Sequence, residues 1–309
     1  EFVEKKPEAT DYGSFRVAKR HFAKVMSSKR YTSGQPAPRA EALRSVGLEL
    51  ERIANHIGDL GALAGDVGFL PTQSFCGRIR GDALNLTAAL CGSRFGRGLV
   101  RPGGTGFDLD EGLGREMLSS LASLGRDAAS AVDLMWETTS VTGRFEATGA
   151  VSMEDCRTLG LVGPPARAVG INLDVRRDHA FGAYRYAMLP VSSWHTGDVF
   201  GRAQVRWMET LRSLEFVREF LESLPAGPVK RPLPGLKPGH VTASLVEGWR
   251  GEICHVAITG EDGRFAAYKV VDPSFHNWFG LALCLRGQAI SDFPLCNKSF
   301  NLSYCGHDL

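Results

Sequence analysis

Residues 39–66, RAEALRSVGLELERIANHIGDLGALAGD, carry the pattern that decides the fold. Apolar side chains recur in this stretch at intervals of three and four positions, namely at Leu43, Val46, Leu50, Ile53, Ile57, Leu60 and Ala64. This spacing places them on one face of an α-helix, so it predicts a long helix with one buried stripe. Gly68 and Pro71 predict the end of that helix.

Three further stretches show helical periodicity and predict, with the first, a four-helix core. They lie at about residues 74–95, 111–140 and 199–224, and Asp198 is the expected N-cap of the last. The stripe predicted to face the core on the last helix is Val205, Met208, Leu211, Leu214, Val217, Leu221 and Leu224. Glycines interrupt residues 141–197, so only short elements are expected there.

The C-terminal part of the chain has a different pattern. Five prolines in residues 225–238 predict a rigid connector. Residues 254–258 and 265–271 predict two strands of a β-hairpin, and a short helix is expected at about 276–286. The predicted fold is therefore mainly α with a small β part. Its parts are an irregular basic leader (1–38), a helical core (39–224), the connector (225–238), and a hairpin with a C-terminal tail (239–309).

Composition excludes several classes of protein. The 309 residues are 43% hydrophobic and 23% charged, with a formal net charge of +2, which is typical of a folded globular chain. No basic block indicates nucleic acid as a partner, and no apolar stretch approaches the roughly 20 residues of a transmembrane helix. Seven scattered cysteines without a C-x-x-C pair favour free thiols in a reducing compartment. One alternative is a metal site formed by the C-terminal cluster Cys284, Cys296, Cys305 and His307.

A polar stripe runs beside the apolar stripe of the first helix, formed by Glu49, Arg52, His56, Asp59 and Asp66. If this stripe is solvated, its charges form only weak surface ion pairs. If it is buried, His56 lies between carboxylates, is expected to hold its proton more tightly, and could relay protons near neutral pH.

Other polar clusters have competing interpretations. Arg101 lies on a turn, RPGGTG, where its cation suits an anionic group or a buried carboxylate. The tetrapeptide RRDH at 176–179 is expected in a solvated loop. Residues 272–277, DPSFHN, contain serine and histidine but no preceding G-x-S-x-G elbow, which disfavours a nucleophilic pair. Glu247, Arg250 and Glu252 precede the predicted hairpin, and ordinary surface pairing explains them as well as a functional role does. No phosphate-binding or dinucleotide motif occurs.

Several of these segments resemble one family. Residues 49–69 and the turn at 101–104 resemble the 49 kDa-type subunit of NADH-quinone oxidoreductase and the related large subunit of membrane-bound nickel-iron hydrogenases. The likeness continues in order at 160–164, 174–178, 197–202 with Arg206 and Glu209, 224–228 and 247–252. It is closest to the metal-free, hydrogenase-4-like or formate-hydrogenlyase-like relatives. This resemblance implies the long-helix bundle of the hydrogenase large subunit.

Departures from the family pattern limit what the resemblance implies. A hydrogenase binds nickel and iron through two C-x-x-C pairs, because soft thiolates are needed there. The place of the second pair reads DPSFHN at 272–277, and residues 1–40 offer no first pair, so an active hydrogenase is not expected. Asp66 matches the family's helix-end aspartate, which pairs with a loop histidine at the quinone cavity. Residues 1–40 match neither that histidine nor the cavity's tyrosine.

The resemblance implies a subunit of an oxidoreductase complex of the NAD(P)H or ferredoxin to quinone type, on the cytoplasmic face of the membrane. Its expected partners are an iron-sulfur subunit and antiporter-like membrane subunits, so NAD binding and iron-sulfur clusters belong to the complex. No directly bound cofactor or metal is expected, although a quinone headgroup could reach the chain. The residues expected to act are Asp66, His56 and Asp272 in proton transfer, with Arg52, Arg101 and His276 in cofactor contacts. The alternative is a catalytically silent structural subunit, or a degenerate relative.

Overall fold

The structure is a computed structural model that describes residues 36–308. The predicted basic leader at residues 1–38 lies almost wholly outside the described residues. Helix α1 begins at Pro38, whose ring is tolerated at the first helical position because the missing N–H would have no partner there.

Four long helices form the core. They are α1 (Pro38–Asp66), α2 (Leu70–Cys91), α3 (Glu111–Glu137) and α8 (Val199–Glu222). Helix α1 packs against α2 and α8, and α3 closes the ring by packing against the same two helices. The predicted four-helix core is therefore confirmed. In the described part of the chain, none of the helices is long and apolar enough to cross a membrane.

The apolar stripe of α1 forms the centre of this core. Leu50, Ile53, Ile57 and Leu60 have no exposed surface. Burying a side chain of this size stabilises the fold by about 1.5–3 kcal/mol. The start of α8 is fixed as predicted, because the side chain of Asp198 accepts a hydrogen bond from the N–H of Gly201 at 2.8 Å.

Short elements surround the long helices, as the glycine-rich segment predicts. Before α8 they are α4 (Thr139–Phe145), α5 (Met153–Leu159), α6 (Pro164–Arg167), α7 (Val175–Asp178) and the 3₁₀ turn Gly182–Arg185. After the sheet they are α9 (Pro273–Cys284), the 3₁₀ turn Ile290–Asp292, α10 (Phe293–Phe300) and the 3₁₀ turn Gly306–Asp308.

The β part is larger than the predicted hairpin. An antiparallel sheet runs in the order β3 (Val241–Gly248), β4 (Gly251–Thr259) and β5 (Phe265–Val271). The predicted hairpin is confirmed as β4 and β5. The third strand, β3, was not predicted, because its small and polar residues give a weaker apolar alternation. A two-residue turn joins β3 to β4, since Gly248 pairs with Gly251.

A smaller hairpin anchors the proline segment. It consists of β1 (Val100–Arg101) and β2 (Gly104–Thr105). The N–H of Thr105 donates to the carbonyl of Val229 at 2.8 Å, so residues 225–238 are tied to this hairpin. A side chain at Gly104 would collide with that carbonyl oxygen, which explains the glycine.

The face that α8 turns inward agrees only in part with the predicted apolar stripe, of which Val205, Val217 and Leu221 are buried. Leu211 is 44% exposed. The buried positions include a polar series at helical spacing, Arg202, Arg206, Glu209, Thr210 and Ser213. The physical reason is that α8 faces the polar stripe of α1, so charges of both helices pair in the interior.

Gly163, just before α6, touches the β3–β4 turn. A Cβ at this position would lie 2.1 Å from the carbonyl oxygen of Arg250, and φ is +69°. Gly160 has φ of +68° but open space around its Cβ position. We predict that Gly163→Ala lowers the free energy of unfolding by about 2–5 kcal/mol, from backbone strain plus overpacking. Gly160→Ala, the matched control, should cost only about 1–2 kcal/mol.

Urea unfolding followed by circular dichroism measures both costs. Equal losses of stability in the two variants would show that the close approach of Gly163 to the turn contributes nothing.

Candidate functional site

The polar stripe of α1 is buried rather than solvated. Glu49, Arg52 and His56 have no exposed surface, and Asp59 is 5% exposed. The solvated interpretation is therefore wrong for these four residues. It holds only for Asp66, which is exposed at the C-terminal end of the helix.

Glu49 is the first anion of a buried ion network. Its carboxylate accepts hydrogen bonds from Arg176 at 3.1 Å, from Arg52 at 3.2 Å and from the hydroxyl of Ser213 at 2.6 Å. The hydroxyl of Tyr184 also donates to it. Burial alone would raise the pKa of Glu49, but Arg176 and Arg52 hold it below its usual value, so Glu49 is a carboxylate.

Glu209 on α8 is the second anion. A terminal nitrogen of Arg167 lies 2.7 Å from one carboxylate oxygen, and Nε2 of His56 lies 2.8 Å from the other. Burial opposes ionisation here too, yet the charge of Arg167, the hydrogen bond with His56 and the charge of Arg52 hold the pKa of Glu209 well below its usual value. The network therefore contains a second permanent carboxylate.

His56 is neutral in this setting. Burial is the largest effect and lowers its pKa, and the neighbouring Glu209 does not outweigh it. The expectation that His56 holds its proton more tightly is therefore wrong, because that expectation ignored the loss of hydration. Since Glu209 is ionised, Nε2 carries the hydrogen and donates it. Nδ1 is buried without a hydrogen-bond partner among the described residues.

Glu247, on β3, behaves differently from the other carboxyl groups. One oxygen accepts from Arg167 at 2.9 Å and the other from the N–H of Val175 at 3.0 Å. Its side chain lines a cleft whose other walls include Asp174, Asp178, His179 and Glu252. Burial raises the pKa of Glu247 to about 7, although Arg167 counteracts part of this effect. This carboxyl group is poised to exchange a proton near neutral pH.

The charges of the network do not balance when every acid is ionised. It contains three guanidinium groups, Arg52, Arg167 and Arg176, and four carboxyl groups, Glu49, Asp174, Glu209 and Glu247. Because unpaired charge is costly in a dry interior, one proton bound to the acids removes the imbalance. The raised pKa of Glu247 makes it the group that binds this proton.

The residues predicted for proton transfer are not brought together. His56 is in the network, but Asp66 is ten residues further along α1, about 15 Å by the rise of a helix. Asp272 is half-buried and caps α9 by accepting from the N–H of Ser274 at 2.8 Å. Among residues 36–308, no hydrogen bond or ion pair joins Asp66, His56 and Asp272 to one another.

The residues predicted for cofactor contacts are also dispersed. Arg52 is fully buried and donates to the carbonyls of Glu247 at 2.6 Å and Gly248 at 3.1 Å. Arg101 is exposed on the β1–β2 hairpin, so the buried-carboxylate interpretation of it is wrong. His276 is half-buried and packs edge-on against Phe275. The role of all six predicted residues in catalysis or binding stays a prediction.

Sequence pattern alone does not identify several members of the network. It gives no site role to Arg167, Asp174, Tyr184 and Ser213, and it favours a solvated loop for Arg176 and allows a surface pair for Glu247. Both assignments are wrong, since these two side chains are buried. One signal was present: Arg206, Glu209 and Ser213 follow one another at helical spacing on α8.

The C-terminal cysteine cluster converges only in part. Cys284 and Cys296 are both buried and near each other, whereas Cys305 is exposed and faces the hydroxyl of Ser303 at 3.6 Å. No group of three or more His, Cys, Asp or Glu side chains within residues 36–308 is arranged to hold a metal ion.

The family model for the respiratory-chain NADH dehydrogenase 49 kDa subunit matches residues 66–238. The chain belongs to this family, as the resemblance of its motifs predicted.

Individual relatives agree with this assignment. The chain is 31% identical to a carbon monoxide-induced hydrogenase of Rhodospirillum rubrum, over 85% of the chain and 73% of the relative. It is 30% identical to NADH-quinone oxidoreductase subunit 4 of Thermus thermophilus, over 82% and 69% of the two proteins. It is 29% identical to formate hydrogenlyase subunit 5 of Escherichia coli, over 87% of the chain but 48% of that protein.

The raised pKa of Glu247 predicts a dependence of stability on pH. An unfolded glutamate has a pKa of 4.5 and the folded one about 7, so the folded state binds an extra proton between these values. The stabilisation is complete below pH 4.5 and is lost as the pH rises to about 7. We expect Glu247 to lower the free energy of unfolding by up to about 1.4 kcal/mol per pH unit in this window.

The measurement is urea unfolding at a series of pH values, for the natural chain and for Glu247→Gln. The difference between the two variants in free energy of unfolding should change with pH between 4.5 and about 7 and be constant at higher pH. Parallel curves would contradict the assignment of the proton to Glu247.

Removing Arg167 should be far more costly than removing an exposed arginine. Arg167→Met leaves Glu209 and Glu247 without their shared cation, and we expect a loss of about 3–5 kcal/mol in the free energy of unfolding. Arg218→Met on the same protein is the matched control. Arg218 makes only exposed ion pairs on α8, so its loss should cost about 0–1 kcal/mol. Similar losses for both variants would contradict the network's role.

Proposed function

We propose that this chain is a subunit of a membrane-associated electron-transfer complex, in which its buried ion network holds and releases a proton. It would lie at the cytoplasmic face of the membrane, between an iron-sulfur subunit and antiporter-like membrane subunits. Family membership supports the first part of the proposal, and two of the relatives above carry names of subunits of larger enzymes. The acid-base part rests on the unbalanced charge at Glu247.

A continuous series of contacts leads from the cleft into the core. Glu247 contacts Arg167 at 2.9 Å, Arg167 contacts Glu209 at 2.7 Å, and Glu209 contacts His56 at 2.8 Å. A proton on Glu247 or one on His56 gives the network the same total charge. Since Glu247 lines the cleft, it is the group that exchanges a proton with the surroundings, and Arg167 and Glu209 link its charge to the neutral His56.

Charge elsewhere in a complex would act on this equilibrium. An added electron on a neighbouring cofactor is one negative charge, which raises the pKa of a carboxyl group in a poorly screened interior. Reduction of the neighbour would therefore favour proton uptake at Glu247, and reoxidation would favour release. The proposed contribution of this chain is that coupling.

We further propose that the chain carries no nickel-iron centre. At the place of the family's second cysteine pair, Ser274 accepts a hydrogen bond from the N–H of Ser303 at 2.9 Å. The side-chain amide of Asn277 bonds both the N–H and the carbonyl of Val162, at 3.0 and 3.1 Å. A hydroxyl and an amide engaged with backbone do not fit a site that needs soft thiolates.

The test of the acid-base role uses the complex isolated with its native partners. We predict that Glu247→Gln displaces the pH profile of electron-transfer turnover, because the titrating group near pH 7 is removed. Glu215→Gln, an exposed carboxyl group on α8, is the matched control and should leave the profile unchanged. A lowered rate with an unmoved profile would instead favour the structural alternative.

That alternative, a catalytically silent subunit, has its own supporting observation. The guanidinium of Arg52 donates to Glu49 and to the carbonyls of Glu247 and Gly248, so it links α1 to the backbone of β3. On this view the network serves to join helices to the sheet. Its loss would then reduce assembly and stability without a specific effect on turnover.

A quinone role would rest on Asp66 rather than on His56. The side chain of Asp66 reaches the surface, whereas His56 is enclosed and bonded to Glu209. The part of Asp66 that is shielded from water raises its pKa, and the charge of Lys298 opposes this rise. We predict that Asp66→Asn slows quinone reduction by the complex at unchanged thermal stability. His56→Ala should reduce stability first. Quinone reduction at an unchanged rate in folded Asp66→Asn complex would eliminate the quinone role.

A further inference from the structure

Two cysteines meet at Gly149, away from the ion network. Cys284 ends α9, and Cys296 lies in the first turn of α10. A Cβ built on Gly149 would lie 2.5 Å from the sulfur of Cys296 and 3.5 Å from that of Cys284. Both side chains are buried and both thiols are free. Glycine at this position leaves space for the two sulfur atoms side by side.

A buried cation faces the same point. One terminal nitrogen of Arg202 would lie 3.4 Å from the Cβ position of Gly149. Its guanidinium donates to the carbonyls of Gly197 at 2.7 Å and Gly149 at 3.1 Å, and to the hydroxyl of Ser299 at 2.9 Å. It also lies over the ring of Phe300. Within the described residues, none of these partners is a carboxylate, so Arg202 is a buried cation held by neutral acceptors.

A guanidinium without a carboxylate partner favours an anion beside it, and a thiolate is the anion that these residues can supply. We infer that Cys284 and Cys296 form a hydroperoxide-sensitive dithiol site that oxidises to a disulfide between α9 and α10. This inference rests on the geometry around Gly149 and is independent of the proposed function.

The two thiols have different roles. The hydrogen bond from Cys284 is the largest effect and lowers the pKa of Cys296; burial opposes it, the charge of Arg202 adds to it, and the nearby carboxylate of Asp292 opposes it. The same hydrogen bond, with burial, raises the pKa of Cys284. The sulfur of Cys296 also lies nearer than that of Cys284 to the Gly149 position that Arg202 faces, 2.5 Å against 3.5 Å. We therefore assign Cys296 as the attacking thiolate and Cys284 as the second thiol that closes the disulfide.

The oxidation consumes one hydroperoxide. The thiolate of Cys296 attacks one peroxide oxygen, the O–O bond breaks, and the departing oxygen takes a proton to form an alcohol or water. Cys296 is then a sulfenic acid. The sulfur of Cys284 attacks it, an S–S bond forms, and the hydroxyl group leaves with the Cys284 proton as water. The two thiols lose two electrons and two protons, and the peroxide is reduced.

Residues 285–292 link the two helices that carry the thiols, and two side-chain contacts tie this link to residues 144–149. The side chain of Gln288 accepts a hydrogen bond from the N–H of Gly149 at 3.1 Å. Arg144 and Asp292 form an ion pair at 2.9 Å that is partly exposed to solvent. Opening of residues 285–292 at these two points admits a molecule as small as hydrogen peroxide.

The experiment treats the full chain, carrying Cys305→Ser to remove the exposed thiol, with hydrogen peroxide. Remaining thiols are then alkylated after denaturation, and the peptides are analysed by mass spectrometry. We expect a disulfide that links the peptides of Cys284 and Cys296. Cys76, whose thiol has its pKa raised to about 12 by burial, is the internal reference. Cys296 should be oxidised roughly tenfold faster than Cys76 or more.

Two variants separate the roles of the residues. In Cys284→Ser, oxidation of Cys296 should stop at the sulfenic acid, which dimedone captures. In Arg202→Gln, oxidation of Cys296 should slow by roughly tenfold, whereas Arg202→Lys keeps the charge and much of the rate. If Arg202→Gln does not fold, the natural chain and Cys284→Ser still decide the question. Equal oxidation rates for Cys296 and Cys76, or no dimedone adduct in Cys284→Ser, overturn the inference.

Discussion

The ion pair between Glu209 and Arg167, at 2.7 Å, joins elements that lie far apart in the sequence. Glu209 lies on a long helix, α8, and Arg167 ends the single-turn helix α6. Arg167 continues to Glu247 on β3, so three kinds of element share one cation. Each member is buried, and removing any one leaves its partners charged in a medium that cannot hydrate them. The relative positions of helix bundle and sheet therefore depend on these charges being paired.

This dependence explains which features the sequence predicts and which it does not. The apolar period of α1, the cap at Asp198 and the glycine interruptions are local signals, and the helices follow them closely. The inward face of α8 cannot be predicted from its own sequence alone, because Leu211 is exposed while charged residues of the same helix are buried. A polar residue is buried only if another part of the chain supplies its partner, and that partner is invisible to a periodicity argument.

The candidate site shows the same limit. Resemblance drew attention to the correct stretch of α1, and His56 does lie in the network. The resemblance also indicated Asp66 as a site residue, although Asp66 is exposed, and it did not indicate the buried Arg167. The direction of the His56 pKa was mispredicted because neighbouring carboxylates were visible in the sequence and the depth of burial was not. Burial is a property of the assembled fold, so it decides the chemistry only after the fold is known.

The acid-base and the structural interpretation of the network differ in how they account for the number of its charged groups. Three guanidinium groups and three carboxylates would balance one another without any titrating group. Stability alone does not require a fourth carboxyl group, because a buried ion pair seldom stabilises more than apolar side chains of similar size. The fourth acid, Glu247, also lies at the wall of a cleft rather than at the centre of the network. Glu247 is buried at the wall of this cleft, and the proton exchange proposed for the surplus acid requires that position.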